Sequence, residues 1–291
     1  MLYLVGSIIF TSWLTLSFKV IQKFSISNLQ AIVFNYFTCV ITGSFINGSF
    51  PIQKSTLLEP WFPWALSMGV IFVLLFNLIA LTAQKLGVAI ASVANKLSLV
   101  IPFIFSIYLY NEENTILKTM GIVLALLAVA MTCYKPVGSS LSNPVRIIPI
   151  LLPVILFFGS GFLDTMIKYV EHHFLNVSNN NYYLITAFLV AGMFGTMLFA
   201  VQLFQKKERL SWRAAIAGIA IGIPNYFSIW CLVKVLKVYS ENSSAIIPIN
   251  NMGIVLFSSV MAITLFREKL SELNWVGILL SLGAIALIGL G

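Results

Sequence analysis

Charge is what this sequence has least of. Asp, Glu, Lys and Arg make up 9% of its 291 residues, whereas soluble domains carry about 25%. With 59% hydrophobic residues, a soluble enzyme is excluded and a polytopic membrane protein is indicated. Acids number only nine and are nowhere dense enough to gather a metal ion and a diphosphate at one membrane face. That counts against a membrane-embedded enzyme modifying lipid headgroups, and no enzymatic activity is expected. Histidine occurs twice, as His172-His173, with no third ligand in view. The three cysteines, Cys39, Cys133 and Cys231, lie in or at the end of apolar segments, too few and too scattered for a disulfide framework or a metal site. No metal or other cofactor is expected, and without a Walker-type glycine loop ATP is not expected to drive the protein directly.

The net charge of +8 does not point to nucleic acid, because the bases sit at the ends of apolar segments, where they reach headgroups and set topology. Reading between charges gives ten expected membrane spans: 2–20, 29–47, 62–83, 86–109, 115–134, 147–168, 182–204, 213–235, 244–266 and 273–290. The first, which lacks a basic leader region, is expected to be a helix rather than a cleaved signal. The connections are short and rich in Ser, Asn, Pro or Gly, as surface loops are. Eleven bases fall in the odd-numbered loops and five in the even ones. The positive-inside rule would then make the odd loops cytoplasmic and put both termini outside.

The chain repeats. Glu112 precedes Gly121 as Glu268 precedes Gly277, in NEENTILKTMGIVLALLAVAM and REKLSELNWVGILLSLGAIAL, and both residues shift by the same offset, 112 to 268 and 121 to 277. At that offset Asn95 falls on Asn251 and Lys96 on Met252, while Lys19 falls on Lys168 at a slightly shorter one. The expected fold class is an all-α membrane protein of ten transmembrane helices in two five-helix repeats, residues 1–135 and 136–291. An odd number of spans per repeat inverts the second copy in the membrane, an arrangement common among secondary transporters.

Lys96 stands near the middle of an apolar run of about 24 residues, Leu86 to Leu109, long enough to cross the roughly 30 Å hydrocarbon core. A cation there costs about 2.5–3.5 kcal/mol on insertion scales. Such a group either faces a water-filled cavity and binds an anionic ligand group or serves as a structural ion-pair partner. Asn95, Asn250 and Asn251 lie in the fourth and ninth spans, and Asn77 and Asn225 in the third span of each repeat. Their amides either bind polar substrate groups or join helices by hydrogen bonds, which average about 0.6 kcal/mol in membranes. Asp164 and Lys168, four apart, share a helix face. Asp164 either exchanges a coupling proton or sodium ion or neutralises Lys168. Glu112 and Glu268 are read as caps of the helices that follow them. Pro102, Pro224 and Pro248 lie inside spans, where proline kinks a helix. Gly218 and Gly222 fit close helix packing, and Trp61, Trp64, Trp212 and Trp275 fit an interfacial belt.

A small residue opening the fourth span, a proline within it, an acid at its end and a glycine nine residues later resemble the EamA-type domain of the drug/metabolite transporter superfamily, here present twice. The resemblance implies ten helices in two inverted repeats around a central cavity lined by helices 1, 3, 4, 6, 8 and 9, cytoplasmic termini, and transport of small metabolites such as amino acids, sugars and nucleotide sugars. Ala94-Asn95-Lys96-Leu97 also resembles part of the substrate motif of nucleotide-sugar transporters, which those proteins carry in their second half. Small multidrug-resistance relatives hold a proton-binding glutamate in the first helix, where this sequence offers Thr11 and Ser160. The function expected is secondary active transport of a small polar metabolite by alternating access, in the inner (plasma) membrane of a bacterium. The expected partners are the substrate, the lipid bilayer and a coupling proton or sodium ion, with the protein a monomer or homodimer. A non-transporting membrane scaffold is the remaining alternative, and it would have no need of a buried lysine.

Overall fold

The computed structural model describes residues 1–48, 50, 54–110, 115–133, 148–176, 179–205, 208–239 and 243–290. Among the described residues there is no strand. Eleven helices follow one another: α1 Leu2–Lys23, α2 Asn28–Asn47, α3 Phe62–Leu86, α4 Val88–Leu97, α5 Val100–Tyr110, α6 Ile116–Cys133, α7 Ile148–Phe174, α8 Asn180–Phe204, α9 Trp212–Val238, α10 Ser243–Phe266 and α11 Glu272–Leu290, with a 3-10 turn at Lys54–Leu58. An apolar chain satisfies its backbone in lipid by closing every N–H onto its own helix. Nine of these segments, with Val88–Phe105 taken as one, are long and apolar enough to cross a bilayer, and Ile116–Thr132 is a shorter apolar helix. The chain is an integral membrane protein of the all-α class. The expected fourth span differs from expectation in being two helices, α4 and α5. Glu112 lies outside the described residues.

The helices form two compact units, each drawing on both halves of the sequence. The first contains Met1–Lys19, Leu78–Asp164 and Ser228–Gly291; the second contains Val20–Asn77 and Thr165–Phe227.

In the first unit α6 and α11 run antiparallel. Gly121 at the start of α6 lies against Ile288 at the end of α11, and Gly277 at the start of α11 lies against Thr132 at the end of α6. The two contacts exchange under the sequence offset, since 121 maps to 277 and 132 to 288. Asn274 donates to the Thr132 carbonyl (2.6 Å), tying the same two ends together. α4 and α10 are antiparallel as well, with Glu268, just past α10, against Gly87 at the start of α4. Ala125, Ala128, Ile278 and Ile285 form one core with Val93, Leu97 and Val255.

The approach of Glu268 to α4 follows from how α10 ends. Arg267 takes a left-handed conformation (φ 53°), a common way for a helix to end, and the Glu268 N–H bonds back to the Ala262 carbonyl (3.3 Å), turning the chain sharply. The Glu268 carboxylate then accepts from the Val88 N–H (2.9 and 3.1 Å), an orphan donor at the N-terminus of α4. Lys19 lies 3.9 Å from that carboxylate and donates to the carbonyls of Ala83 (3.3 Å) and Gln84 (3.2 Å) at the end of α3. An anion thus meets the positive end of α4 and a cation the negative end of α3. Glu268 therefore caps α4 and not the helix that follows it. That helix, α11, is capped by Ser271 and Asn274: the Ser271 N–H and hydroxyl donate to Asn274 Oδ1 (3.1 and 2.8 Å), and the Asn274 N–H donates to Ser271 Oγ (3.2 Å).

In the second unit α2 and α8 are antiparallel, Gly43 against Ile185 and Gly195 against Val33. α9 lies on α2 through Gly218, facing Phe34, and Gly222, facing Thr38, so these glycines serve packing within the chain. Asn225 donates to Asn35 Oδ1 (3.1 Å), and the Cys39 thiol donates to the Gly222 carbonyl (3.4 Å). Glu208, in the α8–α9 connection, accepts from Ser27 (2.6 and 2.8 Å) and Gln30 (2.8 Å) at the start of α2. Trp61 does not join an interfacial belt; it is buried at 2% exposure, edge-on to Tyr183.

Gly87 is the residue this arrangement cannot replace. Its φ is +117°, and a Cβ there would stand 2.7 Å from a Glu268 carboxylate oxygen. Gly87→Ala is expected to cost about 1–3 kcal/mol from backbone strain and to weaken the cap. Thermal unfolding of the purified protein checks this, and an unchanged midpoint would refute the described junction.

Candidate functional site

Pro102 has no amide proton, so the carbonyl of Ser98, four residues earlier, loses its helical partner. Ile101 takes it instead, in a tighter three-residue bond (2.9 Å). The helix therefore stops at Leu97 and restarts at Val100, with Ser98 and Leu99 between. Ser98 Oγ donates to the Asn95 carbonyl (2.6 Å), one of the acceptors the broken helix leaves without a partner.

α7 crosses this break antiparallel. Gly161 has no side chain, and Ile101 occupies the space one would need. One turn further along α7, Asp164 Oδ2 stands 3.5 Å from Ser98 Oγ. The single hydroxyl proton already goes to Asn95 at the much shorter distance, so Ser98 leaves the Asp164 carboxylate largely unsatisfied.

The charge acting on Asp164 is Lys96, and the charge acting on Lys96 is Asp164. Among the described residues no hydrogen bond or close ion pair joins the two, and the Lys96 ammonium has no hydrogen-bond partner. Both side chains are deeply set among protein atoms, yet Asp164 is exposed and Lys96 half-exposed. The half-buried amide of Asn95, beside Lys96, makes no hydrogen bond to a described residue.

The other expected site residues are placed differently. With Glu268 against Gly87 and Ala262 packed with Ala91 and Ala94, the antiparallel register puts Lys96 level with about residue 259. Asn250 and Asn251 then fall about 12 Å further along α10 at 1.5 Å per residue. Both are buried, and Asn250 Oδ1 has no partner among the described residues. Asn77, in the second unit, donates to the Val73 carbonyl of its own helix (2.8 Å). Asn225, also there, is buried and held by Asn35. Lys168 is half-buried, one turn beyond Asp164 on α7. Of the prolines, only Pro102 breaks its helix: α9 runs on through Pro224 and α10 through Pro248. Among the described residues no three His, Cys, Asp or Glu side chains gather closely enough to hold a metal ion.

Ser98 and Asn35 are the polar residues that sequence reading passed over. Ser98 was detectable as the residue whose carbonyl Pro102 deprives, and Asn35 as an amide in the middle of an apolar span.

No family model matches the chain. It is similar to a protein of Haemophilus influenzae described as "Uncharacterized protein", 25% identical over 273 residues, which cover 92% of this chain and 90% of that protein. The likeness therefore runs through both halves of the sequence.

Proposed function

We propose that the chain is a secondary active transporter of the EamA type, in the drug/metabolite transporter superfamily, moving a small polar metabolite across the inner membrane of a bacterium by alternating access. The observation that carries this reading is the Lys96–Asp164 pair. Charges deep in an apolar helical chain are costly and mark substrate or ion pathways, and this pair stays accessible without closing on itself. It stands beside a discontinuous helix, α4–α5, whose exposed backbone groups suit a ligand site at bilayer depth.

An inverted repeat, with halves at 1–135 and 136–291, is supported by the pairing of the helices. The contacts of α6 with α11 exchange under the repeat offset, and the two helices are antiparallel, as copies related by an axis in the membrane plane must be. Such a pair of repeats can rock about a fixed central site.

Two measurements test the reading. Proteoliposomes holding the purified protein are expected to accumulate at least one member of a panel of amino acids, sugars and nucleotide sugars, and Lys96→Ala to lower that flux at least about tenfold, the loss expected when a charged hydrogen bond to the ligand is removed. Equal flux in the two proteins would remove Lys96 from the site, and no flux above protein-free liposomes would refute transport. Reporters fused to the two ends of the chain are expected to lie on the same side of the membrane, since ten spans return the chain to where it began; opposite sides would refute the ten-span topology.

A further inference from the structure

Lys96 and Asp164 would satisfy one another if they met, and they do not meet. The carboxylate has only the long approach of a serine whose proton is committed elsewhere, and the ammonium has no partner among the described residues. Asp164 is exposed and Lys96 half-exposed. A cation and an anion held apart, both unsatisfied and both accessible, select a ligand by its charges. A singly charged anion bound to Lys96 would leave Asp164 without a counter-charge and add a like charge beside it. A cation bound to Asp164 would do the same to Lys96, and an uncharged sugar would desolvate both and neutralise neither. A ligand that carries both signs neutralises both.

We propose that this site takes a small zwitterion, its carboxylate held by the Lys96 ammonium and its ammonium group by the Asp164 carboxylate, with the neighbouring Asn95 amide free to bond the carboxylate as well. The inference deepens the transport reading and rests on it for the statement that the ligand is carried across the membrane. Recognition itself needs only the geometry at the α4–α5 break.

The test uses the full-length protein in lipid nanodiscs and reads ligand-induced thermal stabilisation and equilibrium binding. The probes are the common α-amino acids, ω-amino acids such as γ-aminobutyrate, and betaine. For the one that stabilises most, its N-acetyl derivative (anion only) and its amide (cation only) follow. The wild-type protein is expected to bind the zwitterion about 10- to 100-fold more tightly than either derivative, the range expected for losing one charged hydrogen-bonded contact. Lys96→Met is expected to weaken the zwitterion by a similar factor while sparing the amide. Asp164→Asn is expected to weaken it while sparing the N-acetyl derivative. This crossed pattern is one that a merely structural role would not produce, and the wild-type comparison stands even where a variant fails to fold. A monosaccharide, a dicarboxylate or a polyamine that binds while every zwitterion fails would overturn the proposal, as would variants that weaken both derivatives equally. Flux of such a compound with none for zwitterions would overturn it and leave transport standing. Zwitterion binding without flux of any compound would do the reverse.

Discussion

A backbone hydrogen bond that cannot form governs this protein. Inside a bilayer every peptide group must find its partner within the protein, and Pro102 removes one donor from the fourth span. The replacement bond from Ile101 to Ser98 tightens the turn and ends α4 at Leu97. The consequence is local and chemical. The last carbonyls of α4 and the first amides of α5 are left short of helical partners, and Ser98 supplies one of them through its hydroxyl. Lys96 lies one residue before the end of α4, and Gly161 lets α7 approach closely enough to bring Asp164 alongside. Polar backbone and both charges are gathered in one place, where each makes the presence of water or ligand less costly for the others.

The sequence repeat and the α6–α11 contacts exchange under one offset, and the charges do not. The repeat offset that carries Gly121 onto Gly277 carries Lys96 onto Met252, and the offset that carries Lys19 onto Lys168 carries Thr15 onto Asp164. Both ionised residues thus have uncharged counterparts. The paired helices α6 and α11, whose contacts obey the symmetry, are held by small residues and apolar packing. The repeat is thus kept where helices pack and departs where the charges lie. A site with mirrored charges would present two cations or two anions to one ligand, and like charges at close range disfavour one another's ionised forms.

How much could be read in advance follows from the same physics. The approximate limits of the apolar helices were legible, because a charge can seldom lie inside hydrocarbon and so marks the ends. Their true ends were less so: α1 runs to Lys23 and α7 to Phe174, past the bases taken as boundaries, since a helix does not stop at the membrane surface. Which side chains point inward was not legible. A soluble helix advertises its buried stripe by an alternation of apolar and polar residues, but here lipid and protein interior are equally apolar. Trp61 accordingly reads as an interfacial residue and is buried. The bond between Asn225 and Asn35 and the link between Lys96 and Asp164 join positions far apart in sequence, and no local pattern encodes them. Pro102 shows the limit most clearly. Pro102, Pro224 and Pro248 look alike in the sequence, and of these only Pro102 breaks its helix.

The two ends of α4 differ in a way that bears on mechanism. At its N-terminus the helix is fixed by a carboxylate that accepts the Val88 N–H and lies beside Lys19, with a glycine conformation at residue 87 that other residues adopt only under strain. Charge, hydrogen bonding and helix dipoles agree there, so that end should resist displacement. At its C-terminus, ten residues on, the helical ladder is interrupted and the nearest charges are unpaired with one another. Loss of two opposite charges into direct contact is prevented only so long as α4 and α7 keep their present spacing across the break. A ligand that bridges Lys96 and Asp164 would add bonds between those two helices where the protein itself provides little, and would favour whichever arrangement of α4 lets both bonds form. The interruption caused by one proline is thus both the reason the charges remain open and the place where binding energy can act on the fold.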